Sequence, residues 1–278
     1  MKIVIFSPHG VFSPAHATTY MMLRYLSSLC YDVTQLHCNG AFSVCERDVD
    51  LTNSGVAGSG EGTLRTIEHC LQCSSEQRNF SDFSGAQLRK VTDFLIGEDL
   101  QATRQWVLER SAEELWNEEW YGLEVSNLIG GTFQRFCGEP TPRFKSQKHA
   151  GLVRQLTLAS IRMALAGGKC INQMRPDWLW IPSGEEMLTK ALYQTAKMRA
   201  SGMQKMQMVR FQAVLDGQMV LAQREGDPHP YRVQNVIDTL LDVRSDIDTW
   251  PREVLTEFDE FFRFLGMSNS QLSLPVAR

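Results

Sequence analysis

Apolar positions open the chain as an uninterrupted β-branched and aromatic run, Ile3-Val4-Ile5-Phe6, the pattern of a strand buried on both faces of a parallel sheet. A turn-rich segment follows from Ser7 to Pro14. Met22, Leu26 and Leu29, with Met21 and Tyr25 beside them, then recur at helical spacing from about Ala17, and Asp32 to Cys38 reads as a second strand. Strand, loop, helix and strand in this order form the opening unit of a doubly wound α/β fold, whose ligands sit outside the carboxyl ends of the strands.

Beyond Cys38 the pattern breaks. Residues 39–84 are rich in Gly, Ser, Asn and Cys without a sustained period, and Gly55, Gly58, Gly60 and Gly62 fall close together, which predicts a long irregular excursion. Residues 85–120 predict two helices, one carrying Leu88, Val91, Phe94 and Leu95, the other Trp106, Leu108, Leu115 and Trp116, with Asp99 as a cap for the second. Tyr121 to Gly138 is ambiguous, and Leu152, Leu156, Ile161 and Leu165 predict a further helix. Trp178-Leu179-Trp180-Ile181 is a short apolar strand, followed by Pro182-Ser183-Gly184 and a helix from Glu185 to about Arg199. Residues 206–222, with Asp216-Gly217 at their centre, read as a hairpin or as a buried strand and a turn. A break at 226–230 precedes two final helices, the second bearing Val254, Phe258, Phe261, Phe262 and Leu265. The expected fold is therefore α/β, a Rossmann-like, mostly parallel sheet with helices on both faces. Residues 1–225 are its domain, with a Cys-rich insertion at 38–84, and 226–278 form a helical C-terminal extension.

Composition narrows the function classes. With 43% apolar and 22% charged residues the chain is a folded globular protein rather than a disordered or low-complexity one. Basic residues number 28 against 32 acidic, a net charge of −4, so no cationic excess drives binding to a nucleic-acid backbone or an anionic membrane. No apolar stretch approaches the roughly 18 residues of a membrane span, and the N-terminal run is too short for a signal peptide. A cytoplasmic location is expected. Seven cysteines in such a chain point to thiols or metal ligands rather than a disulfide framework.

Four of those cysteines, Cys38, Cys45, Cys70 and Cys73, fall inside the excursion, with Cys70 and Cys73 spaced as Cys-x-x-Cys. That spacing lets two thiolates converge on one ion, so the four are candidate ligands for zinc, with an iron–sulfur cluster as the alternative and reduced structural thiols as the plainer reading. His37 and His69 each precede a cysteine and are substitute ligands. The first loop places Ser7, His9, Gly10, Ser13 and His16 between a strand and a helix N-terminus, where unpaired backbone donors and the helix dipole favour an anion such as a diphosphate. Gly-x-Gly-x-x-Gly and a Walker lysine are both absent, which argues against nicotinamide and NTPase chemistry. Ser183, Gly184 and Glu185 open the helix after the second apolar strand and are candidates for binding an acceptor hydroxyl, although small residues and early glutamates also suit an ordinary helix start.

Taken in order, Ser7-Pro8-His9, His37-Cys38-Asn39-Gly40, Cys45, the Cys70/Cys73 pair, Tyr121-Gly122-Leu123, and Pro176-Asp177 with the strand ending at Ser183-Gly184 resemble the N-terminal half of bacterial surface-carbohydrate and capsule-biosynthesis proteins of the glycosyltransferase-B type. The resemblance runs over roughly residues 1–225. It implies an acceptor-side Rossmann-like domain, transfer of a glycosyl group from a nucleotide-sugar donor to a carbohydrate acceptor, and His9 and His16 beside the sugar diphosphate as candidate bases. It also implies that the four cysteines are a shared feature, and that a second lobe, supplied by a protein partner or further chain, completes the enzyme. The alternative is a non-catalytic, metal-stapled scaffold that binds a partner.

Overall fold

In the structure, a computed structural model, residues 1–8, 14–42, 44–45, 67–200, 206–214, 219–226, 231–234 and 256 are described. In chain order the elements are β1 (Lys2–Ser7), α1 (Pro14–Ser28), β2 (Asp32–His37), α2 (Ile67–Ser84), β3 (Gln87–Lys90), a 3-10 turn (Val91–Phe94), α3 (Gly97–Leu108), α4 (Ala112–Asn117), β4 (Glu119–Trp120), β5 (Leu123–Glu124), α5 (Val125–Cys137), α6 (Gln147–Met174), β6 (Trp178–Pro182), α7 (Met187–Ala200), β7 (Gln207–Val214), β8 (Met219–Arg224) and β9 (Tyr231–Gln234).

Among the described residues, seven strands form one sheet in the order β3-β2-β1-β6-β7-β8-β9. The first five run parallel, and β8 and β9 extend the sheet antiparallel. The fold is α/β, as the opening strand–helix–strand pattern predicts. Alternation along each strand divides the core. Val4, Phe6, Leu36, Leu179, Ile181 and Met208 belong to one buried cluster with Phe133 of α5, Leu156 and Met163 of α6 and Leu188 and Leu192 of α7. Ile3, Ile5, Val33, Trp180, Val209 and Phe211 are equally buried but lie outside that cluster. Their register, Ile3 opposite Val33 and Ile5 opposite Trp180, turns them to the other face, and α1 packs against β1, β2 and β7. A run without polar interruption, such as Ile3–Phe6, is what burial on both faces favours.

The structure corrects several expectations. Leu88, Val91 and Phe94 do not share a helix: residues 87–90 pair with β2 as an edge strand, and Val91 and Phe94 are buried from a 3-10 turn. A 3-10 turn brings residues three apart onto one side just as an α-helix does, so the spacing alone does not separate them. The second expected helix is two, because Ser111 starts α4 with a capping box in which its hydroxyl accepts from the Glu114 N–H and the Glu114 carboxylate accepts from the Ser111 N–H. Asp99 lies inside α3 and accepts from the Ile96 N–H at its start. Of the two readings for residues 206–222, the paired strands favour the hairpin: β7 and β8 are antiparallel, paired from Val209–Arg224 to Val214–Met219. The sheet runs past residue 225, where the helical extension was expected to begin, because Tyr231–Gln234 pairs with β8. Of the final helices only Thr256, which is helical, lies among the described residues.

Most unlike the pattern-based expectation is α2, an 18-residue helix inside the segment expected to be irregular. It buries the polar Gln77, Ser81 and Ser84 and leaves Leu71 67% exposed. The buried polar groups are satisfied locally: Ser81 Oγ donates to the Ala86 carbonyl (2.8 Å), and Ser84 Oγ donates to the Ser81 carbonyl (3.1 Å) and accepts from the Ala86 N–H (3.2 Å). Buried positions of this polar kind do not register in a search for apolar periodicity.

Candidate functional site

Strands β2 and β3 lie on one side of β1 and β6 and β7 on the other, so the strand order reverses between β1 and β6. Chain connections leave in opposite directions at such a point and open a crevice at the carboxyl ends of the two strands. Two segments singled out in the sequence begin at these strand ends: Ser7, the last residue of β1, and the Pro182-Ser183-Gly184 turn after β6.

On the β2 side the floor is a relay of side chains. Ser7 pairs in register with His37, and both are buried. Gln77 of α2 donates from Nε2 to the Ser7 carbonyl (2.8 Å), leaving its Oε1 as the acceptor for His37 Nδ1. His37 therefore carries its proton on Nδ1 and its lone pair on Nε2, which is buried with no partner among the described residues. Burial holds the imidazole below its ordinary pKa of 6.5, against the opposing hydrogen bond from Gln77. The native state thus resists a proton that the unfolded chain accepts. This stabilisation is full above the unfolded value near 6.5 and is lost as pH falls from there toward the lower folded value. Equilibrium urea unfolding is expected to show stability falling below pH 6.5 by up to about 1.4 kcal/mol per pH unit. In His37→Asn, whose amide still has a donor for Gln77, that contribution disappears; an unchanged slope would rule it out.

Directly beyond His37 lies the cysteine group. Cys38 is half-buried, and desolvation, followed by the neighbouring Cys45, pushes its thiol up to about 12; Cys73 adds in the same direction. The N–H groups of Gly40 and Ala41 act on the same sulfur and favour the thiolate. Asn39, left-handed at φ 48°, comes within 3.4 Å of Ser74 Oγ at its Oδ1, so the turn after β2 abuts α2 beside Cys73. Cys70, Cys73 and Gln77 share one face of α2 by their spacing of three and four. The Gln77 bonds that pin α2 to β1 and β2 therefore bring Cys73 over Cys38. Among the described residues no group of three or more His, Cys, Asp or Glu side chains is gathered in metal-ligating geometry.

The β6 exit is shaped by its backbone. Ser183 has φ 44° and Gly184 φ 73°, and the Ser183 N–H donates to the Phe211 carbonyl on β7 (2.7 Å). A Cβ on Gly184 would lie 3.1 Å from Arg210 Cδ, so conformation and space both favour glycine there. Arg210 lies over the Tyr193 ring (5.1 Å), the Tyr193 hydroxyl donates to Glu225, and Lys197 pairs with Glu225 (3.1 Å). Burial and then the Glu225 hydrogen bond raise the Tyr193 phenol to about 12. The hydrogen bonds from Tyr193 and Lys197 hold the Glu225 carboxyl below its ordinary value, although desolvation, the largest influence, opposes them. Glu185 is exposed, and its N–H donates to Ser183 Oγ (3.4 Å), the local role of a helix start.

His9, Gly10 and Ser13 lie outside the described residues, while the backbone places His16 in the first turn of α1, which starts at Pro14. Cys45 and Cys73 both act electrostatically on the Cys38 thiol. Gln77, and the Arg210–Tyr193–Glu225 group, gave no sequence signal beyond the placing of Gln77 four residues after Cys73. His69, the other substitute ligand, is in α2. Among the described residues no helix is long and apolar enough to cross a membrane.

No family model matches the chain, and no curated protein matches it. Among solved structures, a CDPS from Fluoribacter dumoffii is similar with 12% identity and a TM-score of 0.40, over 80% of this chain and 90% of that one.

Proposed function

We infer that the chain is a glycosyltransferase-like protein of surface-polysaccharide biosynthesis, with a Rossmann-like domain whose crevice between the β1 and β6 exits receives the activated sugar and its carbohydrate acceptor. The observation that supports this most is that β1, ending at Ser7, and β6, followed by Ser183-Gly184, are the neighbouring strands at which the strand order reverses. Ser7 and Ser183 lie 176 positions apart in the chain, and both belong to the ordered set of motifs that resembles glycosyltransferase-B proteins. In this reading Ser7, Gly10 and Ser13 bind the diphosphate, Ser183, Gly184 and Glu185 face the acceptor, and His9 or His16 takes the proton of the attacking hydroxyl. A second lobe, from a partner protein or further chain, would cover the donor.

Cys38, Cys45, Cys70 and Cys73 are the donor type of a structural zinc site or an iron–sulfur cluster: Cys45 and Cys73 act on the Cys38 thiol, Cys70 is one helical turn from Cys73, and backbone N–H groups attend the Cys38 sulfur. Such a group would tie the excursion to the sheet.

Binding of a nucleotide-sugar is expected to stabilise the protein by about 2.7 kcal/mol at 100 times its Kd, measured by chemical denaturation. His9→Ala and His16→Ala are expected to abolish transfer while leaving the fold intact. No stabilisation by any nucleotide-sugar, together with co-purification of a second protein, would replace this reading with the scaffold.

A further inference from the structure

A cavity of about 530 Å³ opens at the opposite, amino end of β6 and β7, far from the crevice just described. Its walls come from the last turns of α6 and α7 and the residues that lead into the two strands. Arg175, Arg199 and Asn172 supply polar groups, and Ile171, Pro176 and Met206 an apolar side. The volume is that of a pocket for a small organic molecule.

Arg199 is held in place. Its Nη1 donates to Asn172 Oδ1 (2.8 Å), and the guanidinium lies flat against α6 at Gly168. A Cβ at that glycine would come within 2.7 Å of Nη2, 2.8 Å of Nε and 3.0 Å of Cζ. A cation near a helix C-terminus is favourable by itself, which accounts for an arginine in the last turn of α7. It does not account for a glycine in the interior of α6, which costs roughly 1 kcal/mol relative to alanine, at the one place where the guanidinium rests. Arg175, in a left-handed conformation at φ 48° that ends α6, sets a second cation on the same wall. Among the described residues neither arginine is paired with a carboxylate.

We propose that this cavity is a binding site for an amphiphilic anion, a phosphate or carboxylate carried on an apolar body, with Arg199 and Arg175 holding the charged head and Ile171, Pro176 and Met206 the apolar part. A guanidinium with one donor spent on Asn172 keeps others in its fixed fork for oxyanion oxygens. The site stands independently of the proposed glycosyl transfer, since it shares no residue with the crevice.

The test is isothermal titration of the full chain with hexyl phosphate and with heptanoate, using inorganic phosphate and hexanol as the separate halves. At least one amphiphile is expected to bind at a single site about tenfold or more tighter than either half, and the tighter of the two identifies the head group. Arg199→Gln is expected to weaken it by at least about tenfold, the loss of a charge-assisted hydrogen bond. Gly168→Ala, which favours the helix while displacing the guanidinium, is expected to weaken it comparably with unchanged thermal stability, and decides the matter should Arg199→Gln fold poorly. Amphiphiles that bind no tighter than phosphate or hexanol, or unchanged affinity in Gly168→Ala, would overturn the proposal.

Discussion

Protein purified without chelator is expected to contain close to one equivalent of thiolate-bound metal, and Cys38→Ser or Cys73→Ser to release it. The four sulfurs come from both sides of the excursion, Cys38 and Cys45 after β2 and Cys70 and Cys73 on α2, and the Gln77 bonds hold the two sides together. Apparent binding free energies of structural zinc run to about 10–16 kcal/mol, so each of four ligands contributes roughly 3 kcal/mol, a factor on the order of 10² in affinity. Elemental analysis separates zinc from iron, and a visible charge-transfer band marks a cluster. Stability should fall with the metal, because a staple across a long excursion limits the unfolded chain as well as holding the native one. Metal-free protein of undiminished stability, or a Cys38→Ser variant that keeps its metal, would leave the cysteines as ordinary thiols.

The second large effect is expected in the core. Phe133 of α5 is fully buried, with its ring edge-on to Trp116 (centroids 5.7 Å apart) and to His149 (5.4 Å). It joins α4, α5 and the start of α6. Phe133→Ala removes a large apolar surface and leaves a cavity that these three helices cannot close, which costs about 3–5 kcal/mol. Urea unfolding should show a lower midpoint at unchanged slope. Leu71→Ala is the control: Leu71 points to solvent from α2, and its loss should change stability by no more than about 0.5 kcal/mol. A comparable loss at both positions would mean that α2 is turned the other way, with its polar stripe outward.

Burial on both faces explains which parts of the fold were legible. Burial on both faces of a parallel sheet favours apolar side chains, so Ile3–Phe6 and Trp178–Ile181 stand out in the sequence, whereas β2 also buries Thr34, Gln35 and His37 and is marked less strongly. The long helices α1, α6 and α7 show through their apolar stripes. Two cases escaped for opposite reasons. Val91 and Phe94 sit three apart in a turn that mimics helical spacing. In α2 the described buried positions are the polar residues Gln77, Ser81 and Ser84, which have helical spacing but are not apolar. Reading polar residues for period, and not apolar ones alone, would have found them.

Of the site, single segments were readable and their meeting was not. The small residues after β1, the Cys-x-x-Cys pair and the turn after β6 stand out because turns and ligand pairs need particular residue types at close spacing, and those are local properties of the chain. The pairing of Ser7 with His37, the proton held on His37 Nδ1 by Gln77, and the guanidinium laid on Gly168 bring together residues 30, 40 and 31 positions apart. The amino-acid sequence alone determined an α/β protein with two buried strand–turn–helix units and a cysteine-bearing excursion, since periodicity and turn chemistry act over a few residues. Which side chains face each other was decided only by the tertiary structure, because strand order and helix rotation follow from packing the whole core at once.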